Sequence, residues 1–444
     1  MTKDPVAIIG AGIAGLTAAH FLRRHQVPFV LFEANKEVAG MARSYVDQAG
    51  FSYDFGAHFI TNRLARAIGV EAQCRDVAYY GESVLVRGKY YSYPFGLMKA
   101  PRYLSSALKS RLSSQPDPRS ARDWFHQAYG QALADEVALP LVEAWSGAPS
   151  DQLAPAVGNK LSNGIPYTLY LKAMSRIKGV AVSCGYSHEM PESAKVWHVY
   201  PNGGVASLCH RLGETVTDAI RLESPVERIY VENGRAVAVR AAGVEQRVSA
   251  VISTAPCHVL AKMVSGTNAL APLARFRYRP MIFVNLRFLG RGLLPDTVLW
   301  TPDGGRPFFR LTETALSMPW LAPEGKTLIT CDIGAEVGDH HWKMSDDELG
   351  ALCVRHLDGL APKASASYLG CRVLRTPIAY PVFLNSYEAD RQALARSTGV
   401  ENLLSIGRNG EFAHILMEDI YWRTQQKVRD LVSKLASGPF ALAA

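Results

Sequence analysis

The N-terminal part of the chain alternates short apolar runs with a glycine-rich turn and a longer apolar segment. Val6–Ile9 and Pro28–Phe32 are apolar runs too short for helices, and such runs are typical of buried parallel strands. The segment between them stays apolar to about Arg24 and predicts a helix that packs on these strands. The order strand, tight turn, helix, strand predicts a βαβ unit and therefore an α/β fold.

The later pattern predicts a second group of strands and helices. Residues 85–200 are expected to be largely helical and irregular, because prolines interrupt the apolar periodicity. An amphipathic helix is predicted from Val205 to about Ile220. Asn233-Gly234 is a strong hairpin signal between two apolar runs. Predicted strands are Val226–Val231, Ala236–Val239, Val248–Thr254, Met281–Phe288, Thr327–Cys331 and Leu403–Gly407, and further helices run from Ser345 to about Leu360 and from about Asp419 to Leu435.

The length and composition exclude several classes of protein. A chain of 444 residues is longer than one compact core usually accommodates, so two or three lobes are expected. With 48% hydrophobic and 20% charged residues, the chain is not disordered, collagen-like or a polytopic membrane protein.

Most of the net charge of +8 lies in one stretch. Residues 87–122 contain eight basic residues and one acidic residue, Asp117. The stretch has no motif that reads nucleic acid, so a nucleic-acid partner is not expected. Three interpretations stay open: steering of an acidic substrate, peripheral contact with an anionic membrane through a helix from Arg102 to Leu112, or a solvated face without a partner.

The cysteines and the N-terminus bear on location. Seven cysteines without a C-x-x-C pair argue against a disulfide framework or a zinc site and indicate reduced thiols. The apolar run from Val6 to Leu22 lacks a basic leader and a small-residue cleavage site, so it is interpreted as neither a signal peptide nor a membrane span. We expect a cytoplasmic protein, with peripheral membrane contact as the alternative.

Gly10-x-Gly12-x-x-Gly15 lies between the first predicted strand and helix. The first glycine permits a tight turn, the second lets backbone N–H groups approach a pyrophosphate, and the third lets helix and strand pack closely. Glu33 follows 18 residues after Gly15, where a carboxylate accepts adenosine ribose hydroxyls and disfavours a 2′-phosphate. The pattern predicts a dinucleotide site, and an ordinary glycine-rich turn is the alternative.

Two segments carry a resemblance to a known superfamily. The residues from Glu33 to Arg43 resemble the E-A-x4-G-G-x-x-R motif of FAD-dependent amine oxidases, protoporphyrinogen oxidases and UDP-galactopyranose mutases. Asp54 to His58 is similar to the D-x-G-x-H loop that lies beside the flavin in that superfamily. Further segments that fit are Tyr200–Gly204, Ala379–Val382 and Gly407–Gly410.

The resemblance implies FAD as the cofactor and an α/β fold. A Rossmann-type FAD-binding domain, like that of glutathione reductase, would be joined to a second, mixed α+β substrate domain. The FAD-binding domain would comprise residues 1–84, 200–270 and 396–444. The substrate domain would take its helical part from 85–199 and its sheet from 271–395.

The resemblance also implies roles for individual residues. Gly40 and Arg43 would pass beside the pyrophosphate and the ribityl chain, and the backbone of Val226 would bracket the adenine. Gly407 and Arg408 would lie near the flavin. The residues expected to bind FAD are Gly10, Gly12, Ala14, Gly15, Glu33, Ala34, Gly40, Met41, Arg43, Gly56, Ala57, Val226, Gly407, Arg408, Met417 and Glu418.

Two positions depart from the superfamily pattern, and one residue is the catalytic candidate. Ala39 stands where the first glycine of a pair is usual, and Glu418 stands where aspartate usually follows the methionine. His58 would lie over the flavin and orient the substrate or tune the ring. A histidine hydrogen-bonded within its own loop is the alternative.

The chemistry on the flavin is inferred from what this chain lacks. The mutases carry tyrosines after their G-R-x-G segment, where this chain has Phe412 and His414, and Glu411 adds negative charge. Amine oxidases carry a lysine on a strand facing the flavin, and Met281–Phe288 has none. We predict an FAD-dependent oxidase, dehydrogenase or desaturase that transfers a hydride from a small organic substrate to flavin N5. The alternatives are a sugar mutase without net redox change and a flavin-binding protein without turnover.

Two groups of side chains are candidates for the substrate side. Arg306 and Arg310 would hold a carboxylate or phosphate, or would end a solvated strand. The expected partner is a small molecule, either anionic or lipophilic. A tyrosine group would line an apolar tunnel or pack in a strand, and its members are Tyr79, Tyr80, Tyr90, Tyr91 and Tyr93.

Overall fold

The computed structural model describes residues 4–56, 59–93, 95–113, 116–158, 165–362 and 364–437. One half of the molecule is built on a five-stranded parallel sheet. All four residues of its central strand, Val6–Ile9, are buried, as expected for a parallel strand covered on both faces. In spatial order the strands are Ile220–Arg221, Phe29–Phe32, Val6–Ile9, Ala250–Ser253 and Leu403–Ser405.

A seven-stranded sheet forms the other half. Its long strand Tyr278–Leu289 lies between Tyr368–Pro381 and Lys326–Gly334 and pairs antiparallel with both. The strand Glu82–Val86, across which the expected domain boundary at residue 84 falls, belongs to this sheet. In spatial order the strands are Tyr368–Pro381, Tyr278–Leu289, Lys326–Gly334, Arg310–Glu313, Val298–Trp300, Glu82–Val86 and Lys89–Ser92.

Three smaller sheets complete the strands, and one of them contains the predicted hairpin. Asn233 and Gly234 have φ values of 50° and 77°, as a type I′ turn requires, so the hairpin is confirmed. Its strands Val226–Glu232 and Arg235–Ala241 pair in one sheet with Val244–Arg247 and Val264–Ser265; the other sheets are Ser44–Val46 with Ser52–Asp54, and Ile60–Thr61 with His198–Pro201 and Cys74–Asp76.

Helices connect the strands and dominate the segment between residues 95 and 178. In the described part of the chain, no helix is long and apolar enough to cross a membrane. The α-helices are Ile13–Arg24, Asn62–Ile68, Pro101–Leu112, Ala121–Tyr129, Gln131–Leu133, Leu139–Ser146, Ile165–Lys178, Ala206–Glu214, Cys257–Met263, Thr314–Ser317, His340–Lys343, Asp346–Leu357, Ala364–Ser367, Glu388–Arg396, Gly407–Gly410 and Met417–Ser437, and a π-helical turn covers Ala134–Ala138.

The helix predicted from Val205 to about Ile220 ends at Glu214 in the structure. The hydroxyls of Thr215 and Thr217 donate to helix carbonyls at 2.9 and 3.1 Å, and such bonds compete with continuation of a helix. Ile220 instead begins the edge strand of the parallel sheet.

The two halves of the molecule share a buried core. Val6 and Ile8 point to one face of the parallel sheet, and Ala7 and Ile9 point to the other. The apolar cluster that includes Ala7 and Ile9 continues through the helical segment to Phe283 in the seven-stranded sheet. Side chains that lie between the two sheets are therefore held by packed apolar residues from both halves of the molecule.

Candidate active site

The turn after the first strand depends on glycines for two different reasons. Gly10 has φ +95°, and a Cβ there would lie 2.2 Å from the Thr254 hydroxyl. A Cβ on Gly15 would lie 1.8 Å from the Gly10 carbonyl oxygen, so helix and strand pack together only without a side chain. Gly12 has room for a side chain, since the nearest atom to its Cβ position, the Ala39 carbonyl oxygen, is 4.0 Å away. The helix Ile13–Arg24 starts there with no side-chain cap among the described residues, which leaves its first N–H groups for an anion.

The Glu33 carboxylate is buried and held by N–H groups. Its Oε2 accepts a hydrogen bond from the backbone of Ala11 at 2.7 Å, and its Oε1 accepts from the backbone and side chain of Asn35 at 2.9 and 2.6 Å. A carboxylate has about four acceptor sites, so about one remains for a ribose hydroxyl. The hairpin that starts at Val226 lies nearby, because the Glu33 carbonyl accepts from the Ser224 N–H at 2.8 Å.

The segment after Glu33 returns to the glycine turn. The Ala39 N–H donates to the Ala11 carbonyl at 2.8 Å, and a Cβ on Gly40 would lie 3.5 Å from the Gly12 Cα. Ala39 is buried with φ +86°, the left-handed region that glycine adopts freely. This geometry explains why a glycine is usual there, and an alanine in its place costs about 1–2 kcal/mol.

Arg43 places an unused donor beside this turn. Its buried Nε has no hydrogen-bond partner among the described residues, and the Oε2 atom of Glu37 is 3.6 Å away. An unpaired buried donor is costly, so the position fits a phosphate or ribityl oxygen of a bound dinucleotide. Met41 reaches the seven-stranded sheet, where its Sδ accepts from the Thr376 hydroxyl at 3.6 Å, whereas Ala34 is exposed.

The turn at Gly56 meets the seven-stranded sheet. Gly56 has φ +83°, and a Cβ there would lie 3.1 Å from the Phe283 ring and 3.5 Å from a guanidinium nitrogen of Arg310. Ala57 and His58 follow this turn but lie outside the described residues. Their predicted places beside the flavin, and the catalytic role of His58, stay predictions.

The C-terminal segment packs on the first turn of the N-terminal helix. Gly407 has φ +78°, and a Cβ there would lie 2.9 Å from the Ala14 Cβ. The final helix begins at Met417. The Glu418 carboxylate is completely buried and accepts from Arg63 at 2.6 Å, so its side chain serves an ion pair within the protein. Any contact of Glu418 with a cofactor therefore involves its backbone.

Two arginines and three tyrosines interact with one another, and two of these residues, Arg310 and Tyr380, belong to strands of the seven-stranded sheet. Tyr380 interacts electrostatically with Arg310 and Arg408, and its ring centre is 5.8 Å from the Arg408 guanidinium carbon. Tyr80 interacts with Arg310, and Tyr186 interacts with Arg408. We term these five residues the arginine–tyrosine cluster.

The two arginines of this cluster differ in how their charge is balanced. Burial lowers the pKa of Arg310, but its ion pair with the buried Asp332 and the nearby tyrosines outweigh this effect and raise the pKa above its ordinary value. Arg408 has no carboxylate within ion-pair distance among the described residues, and burial lowers its pKa. Its Nε donates to the Ile415 carbonyl at 3.0 Å. Arg408 is half-buried and thus partly desolvated, and an anionic ligand would compensate its charge.

The Tyr380 ring beside Arg408 belongs to a group of aromatic side chains. The Tyr380 ring stacks on His414 with centres 5.7 Å apart, and the Trp145 ring lies 5.5 Å from His414. Burial lowers the pKa of His198, in an adjoining ring cluster, to about 4, so this imidazole is neutral at neutral pH. These rings reduce the amount of water near Arg408, which strengthens its electrostatic interactions.

Most of the predicted tyrosine group, and Arg306, do not belong to the arginine–tyrosine cluster. In the tyrosine group, Tyr79 and Tyr90 are exposed and only Tyr80 belongs to the arginine–tyrosine cluster, so the group does not line a tunnel together. Arg306 pairs with an aspartate three residues before it in a surface turn. Arg306 and Arg310 are similarly half-buried and each pairs with an aspartate, so a solvated strand end describes neither of them.

Phe412 and Glu411, the two residues that argued against a mutase, have other roles in the structure than contact with a ligand of the arginine–tyrosine cluster. Phe412 is completely buried, with its ring centre 4.4 Å from that of Phe276. The Glu411 carboxylate lies 3.2 Å from Lys427 and 3.5 Å from Arg423, so its negative charge is compensated.

Sequence reasoning missed three residues of the site: Trp145, Tyr186 and Asp332. Asp332 is an isolated acid among buried residues of a long strand, and that pattern is a signal that could have found it. Trp145 and Tyr186 lie in segments where apolar residues do not repeat at a helix or strand spacing. Only the tertiary structure brings these two residues to the site.

The comparison with protein families decides the class of protein. The family described as flavin containing amine oxidoreductase matches residues 13–409. The chain belongs to this family. Its cofactor is FAD, and it is an FAD-dependent oxidoreductase, as the resemblance of the glycine turn and the Glu33–Arg43 segment implied.

Curated relatives and solved structures agree with this membership. Coproporphyrinogen III oxidase of Staphylococcus aureus is 24% identical over 410 residues, which cover 80% of this chain and 84% of that protein. Mitochondrial protoporphyrinogen oxidase of Nicotiana tabacum is 28% identical over 176 residues, so the match spans only 34% of each chain.

Two solved structures share the fold. Reduced UDP-galactopyranose mutase has a TM-score of 0.78 at 16% identity and covers 99% of this chain and 97% of its own. Cyclohexylamine oxidase from Brevibacterium oxydans has a TM-score of 0.70 at 16% identity, with 98% of this chain and 99% of its own covered. At such low identity these similarities confirm the expected fold class and say nothing of the substrate.

Replacing Glu33 tests the ribose assignment in this oxidoreductase. Glu33→Gln keeps the shape but turns one acceptor oxygen into a donor, so FAD binding is expected to weaken by about 10- to 100-fold. Titration of the apoprotein with FAD measures the change, and its thermal unfolding separates binding from folding. Glu223→Gln, on the exposed turn beside Asn35, is the matched control. An unchanged FAD affinity in Glu33→Gln would refute the assignment.

The two glycine functions can be separated by two alanine substitutions. Gly15→Ala brings a Cβ onto the Gly10 carbonyl oxygen and is expected to lower the free energy of unfolding by about 3 kcal/mol. Gly12→Ala meets no protein atom closely, so unfolding of the apoprotein should change by less than about 1 kcal/mol. FAD affinity of Gly12→Ala should nevertheless fall about tenfold or more, because the new methyl group occupies cofactor space. Normal FAD binding by Gly12→Ala would contradict the placement of the pyrophosphate.

Proposed function

We propose that this enzyme oxidises a small organic substrate carrying an anionic group, with a hydride passing from the substrate to N5 of FAD. The supporting observation is the uncompensated charge of Arg408 beside the Arg310–Asp332 pair. An anionic group next to Arg408 supplies the missing counter-charge, and cations fixed in advance orient it without reorganisation. The substrate loses a hydride and a proton, which amounts to a two-electron oxidation.

In this arrangement FAD binds along the Gly10–Gly15 turn and the segments that carry Glu33, Arg43 and Val226. Gly12 and Arg43 face the pyrophosphate, Glu33 holds the adenosine ribose, and the backbone of Val226 lies by the adenine. Bound FAD supplies the hydride acceptor. The FAD-binding domain then comprises residues 1–84, 200–270 and 396–444, and the substrate domain comprises 85–199 and 271–395, except that the whole strand Glu82–Val86 belongs to the sheet of the substrate domain.

The remaining site residues position the substrate and exclude water. Arg310, fixed by Asp332, and Arg408, fixed at Nε, border the substrate from the seven-stranded sheet and the C-terminal segment. The rings of Tyr380 and Trp145 keep that region apolar, which favours hydride transfer over exchange with solvent. His58, two residues after Gly56, is the proposed residue that orients the reacting carbon.

A sugar mutase is the second candidate, and a specific observation keeps it open. Phe412 lies in the core and the charge of Glu411 is compensated, so neither residue opposes a diphosphate. Both candidates use Arg408 for an anion, with the Arg310–Asp332 pair beside it. They differ in whether the substrate is oxidised.

A cytoplasmic location is part of the proposal. All seven cysteines are free thiols, and four of them are buried, which suits a reducing compartment. A small organic molecule is the proposed partner, and nucleic acid is not.

The anion preference can be tested without knowing the substrate. Benzoate added to the FAD-loaded enzyme is expected to perturb the flavin absorption spectrum, whereas benzylamine, of similar size but opposite charge, is not. Arg408→Met should weaken benzoate binding by about tenfold or more, and Arg408→Lys should restore part of it. FAD content of each variant shows whether the cofactor is retained. Perturbation by benzylamine but not by benzoate would contradict the proposal.

A further inference from the structure

Exposed hydrophobic side chains concentrate on two helices. Of the sixteen large hydrophobic side chains exposed in the described part of the chain, seven lie on Pro101–Leu112 and Ile165–Lys178. Scattered single residues of this kind are normal, but a concentration on one element marks an interaction surface.

The helix Pro101–Leu112 exposes a continuous leucine stripe. Leu104, Leu108 and Leu112 follow at four-residue spacing, and their exposures are 41%, 52% and 88%. The opposite side holds the helix to the protein, because Tyr103 is buried and donates to Glu136 at 2.9 Å. The stripe therefore points to solvent while the helix stays anchored.

The helix Ile165–Lys178 repeats this arrangement. Leu169, Tyr170 and Ile177 are 50%, 49% and 75% exposed on one side. Leu171 is completely buried on the other side, and the Ser175 hydroxyl accepts from the Val182 N–H at 3.0 Å. Both helices thus present an apolar face that no described residue covers.

The charge of these helices identifies what covers them. Each helix has three basic residues and no acidic residue. Among the described residues, Lys109, Arg111 and Arg176 have no carboxylate within ion-pair distance. A second copy of the chain would bring the same positive charges together, and a neutral apolar partner would leave them unused. An anionic bilayer accepts both the leucines and the cations.

We propose that the enzyme docks on an anionic lipid surface through the solvent-facing sides of Pro101–Leu112 and Ile165–Lys178. The leucine, tyrosine and isoleucine side chains enter the boundary between headgroups and acyl chains. Lys109, Arg111 and Arg176 contact lipid phosphates. Such docking is reversible and depends on salt, because screening weakens the electrostatic part.

Vesicle binding by the FAD-loaded enzyme tests this proposal. The enzyme is expected to sediment with vesicles of phosphatidylcholine mixed with phosphatidylglycerol and not with vesicles of phosphatidylcholine alone. Leu108→Ser with Leu112→Ser, and separately Leu169→Ser with Ile177→Ser, should each weaken binding by about tenfold. Lys109→Gln with Arg111→Gln should weaken it by about fivefold per charge. Leu289→Ser and Arg355→Gln, exposed residues on other elements, are the controls and should bind normally.

Three outcomes would overturn the proposal. The enzyme could bind neither type of vesicle, or the two leucine and isoleucine double variants could bind as well as the unaltered enzyme. The unaltered enzyme could also form dimers that the Leu108→Ser, Leu112→Ser variant loses, which would show that a second copy covers the stripes. FAD content and thermal unfolding of each variant ensure that lost binding is not lost folding.

Discussion

Close backbone contact at the Gly10–Gly15 turn determines where the rest of the site lies. The Gly10 carbonyl sits where a Gly15 side chain would be, and Gly407 touches Ala14 of the same helix. Backbone hydrogen bonds join Ala39 to this turn as well. The segments that carry Glu33, Arg43 and Arg408 therefore meet at the carboxyl edge of the parallel sheet, which is where open α/β sheets bind ligands. Their functional groups are positioned by backbone packing, which is less variable than side-chain rotamers.

Ion pairs between buried side chains also determine how the elements around the site are arranged. The pairs Arg63–Glu418 and Arg310–Asp332 have their charges compensated within the protein, so they orient neighbouring elements and bind no ligand charge on their own. Removing one partner of such a pair costs about 3–5 kcal/mol because a buried charge is left behind. Arg408 is different, since no carboxylate of the described residues lies within ion-pair distance of it; Tyr380 and Tyr186 lie near it, and its Nε donates to the Ile415 carbonyl. We propose that an anionic ligand completes this charge balance and thereby gains affinity.

The cofactor side could be predicted from the sequence because its requirements are local. A tight turn, a helix start and a strand-end carboxylate occupy fixed offsets, so Gly10, Gly12 and Glu33 are recognisable without tertiary information. The same local logic explains the hairpin at Asn233-Gly234. Helix ends were less predictable, as the early end at Glu214 shows, because threonine hydroxyls and the edge of a distant sheet decide them.

The substrate side could not be predicted in the same way. Arg310 and Asp332 are 22 positions apart on paired strands, and their contact follows from strand register. Tyr186, Tyr380 and Arg408 come from three distant segments that only the folded chain brings together. Phe412, which the sequence analysis compared with a mutase tyrosine, is completely buried, and this burial is not visible in the sequence.

Reduction and reoxidation of the bound flavin test the central claim most directly. The purified, FAD-loaded enzyme would be reduced anaerobically and then mixed with air-saturated buffer or with a quinone, while the flavin absorbance is followed. An oxidoreductase is expected to regain its oxidised spectrum rapidly with at least one of these acceptors. A flavin that stays reduced with both acceptors would contradict the account and favour the mutase.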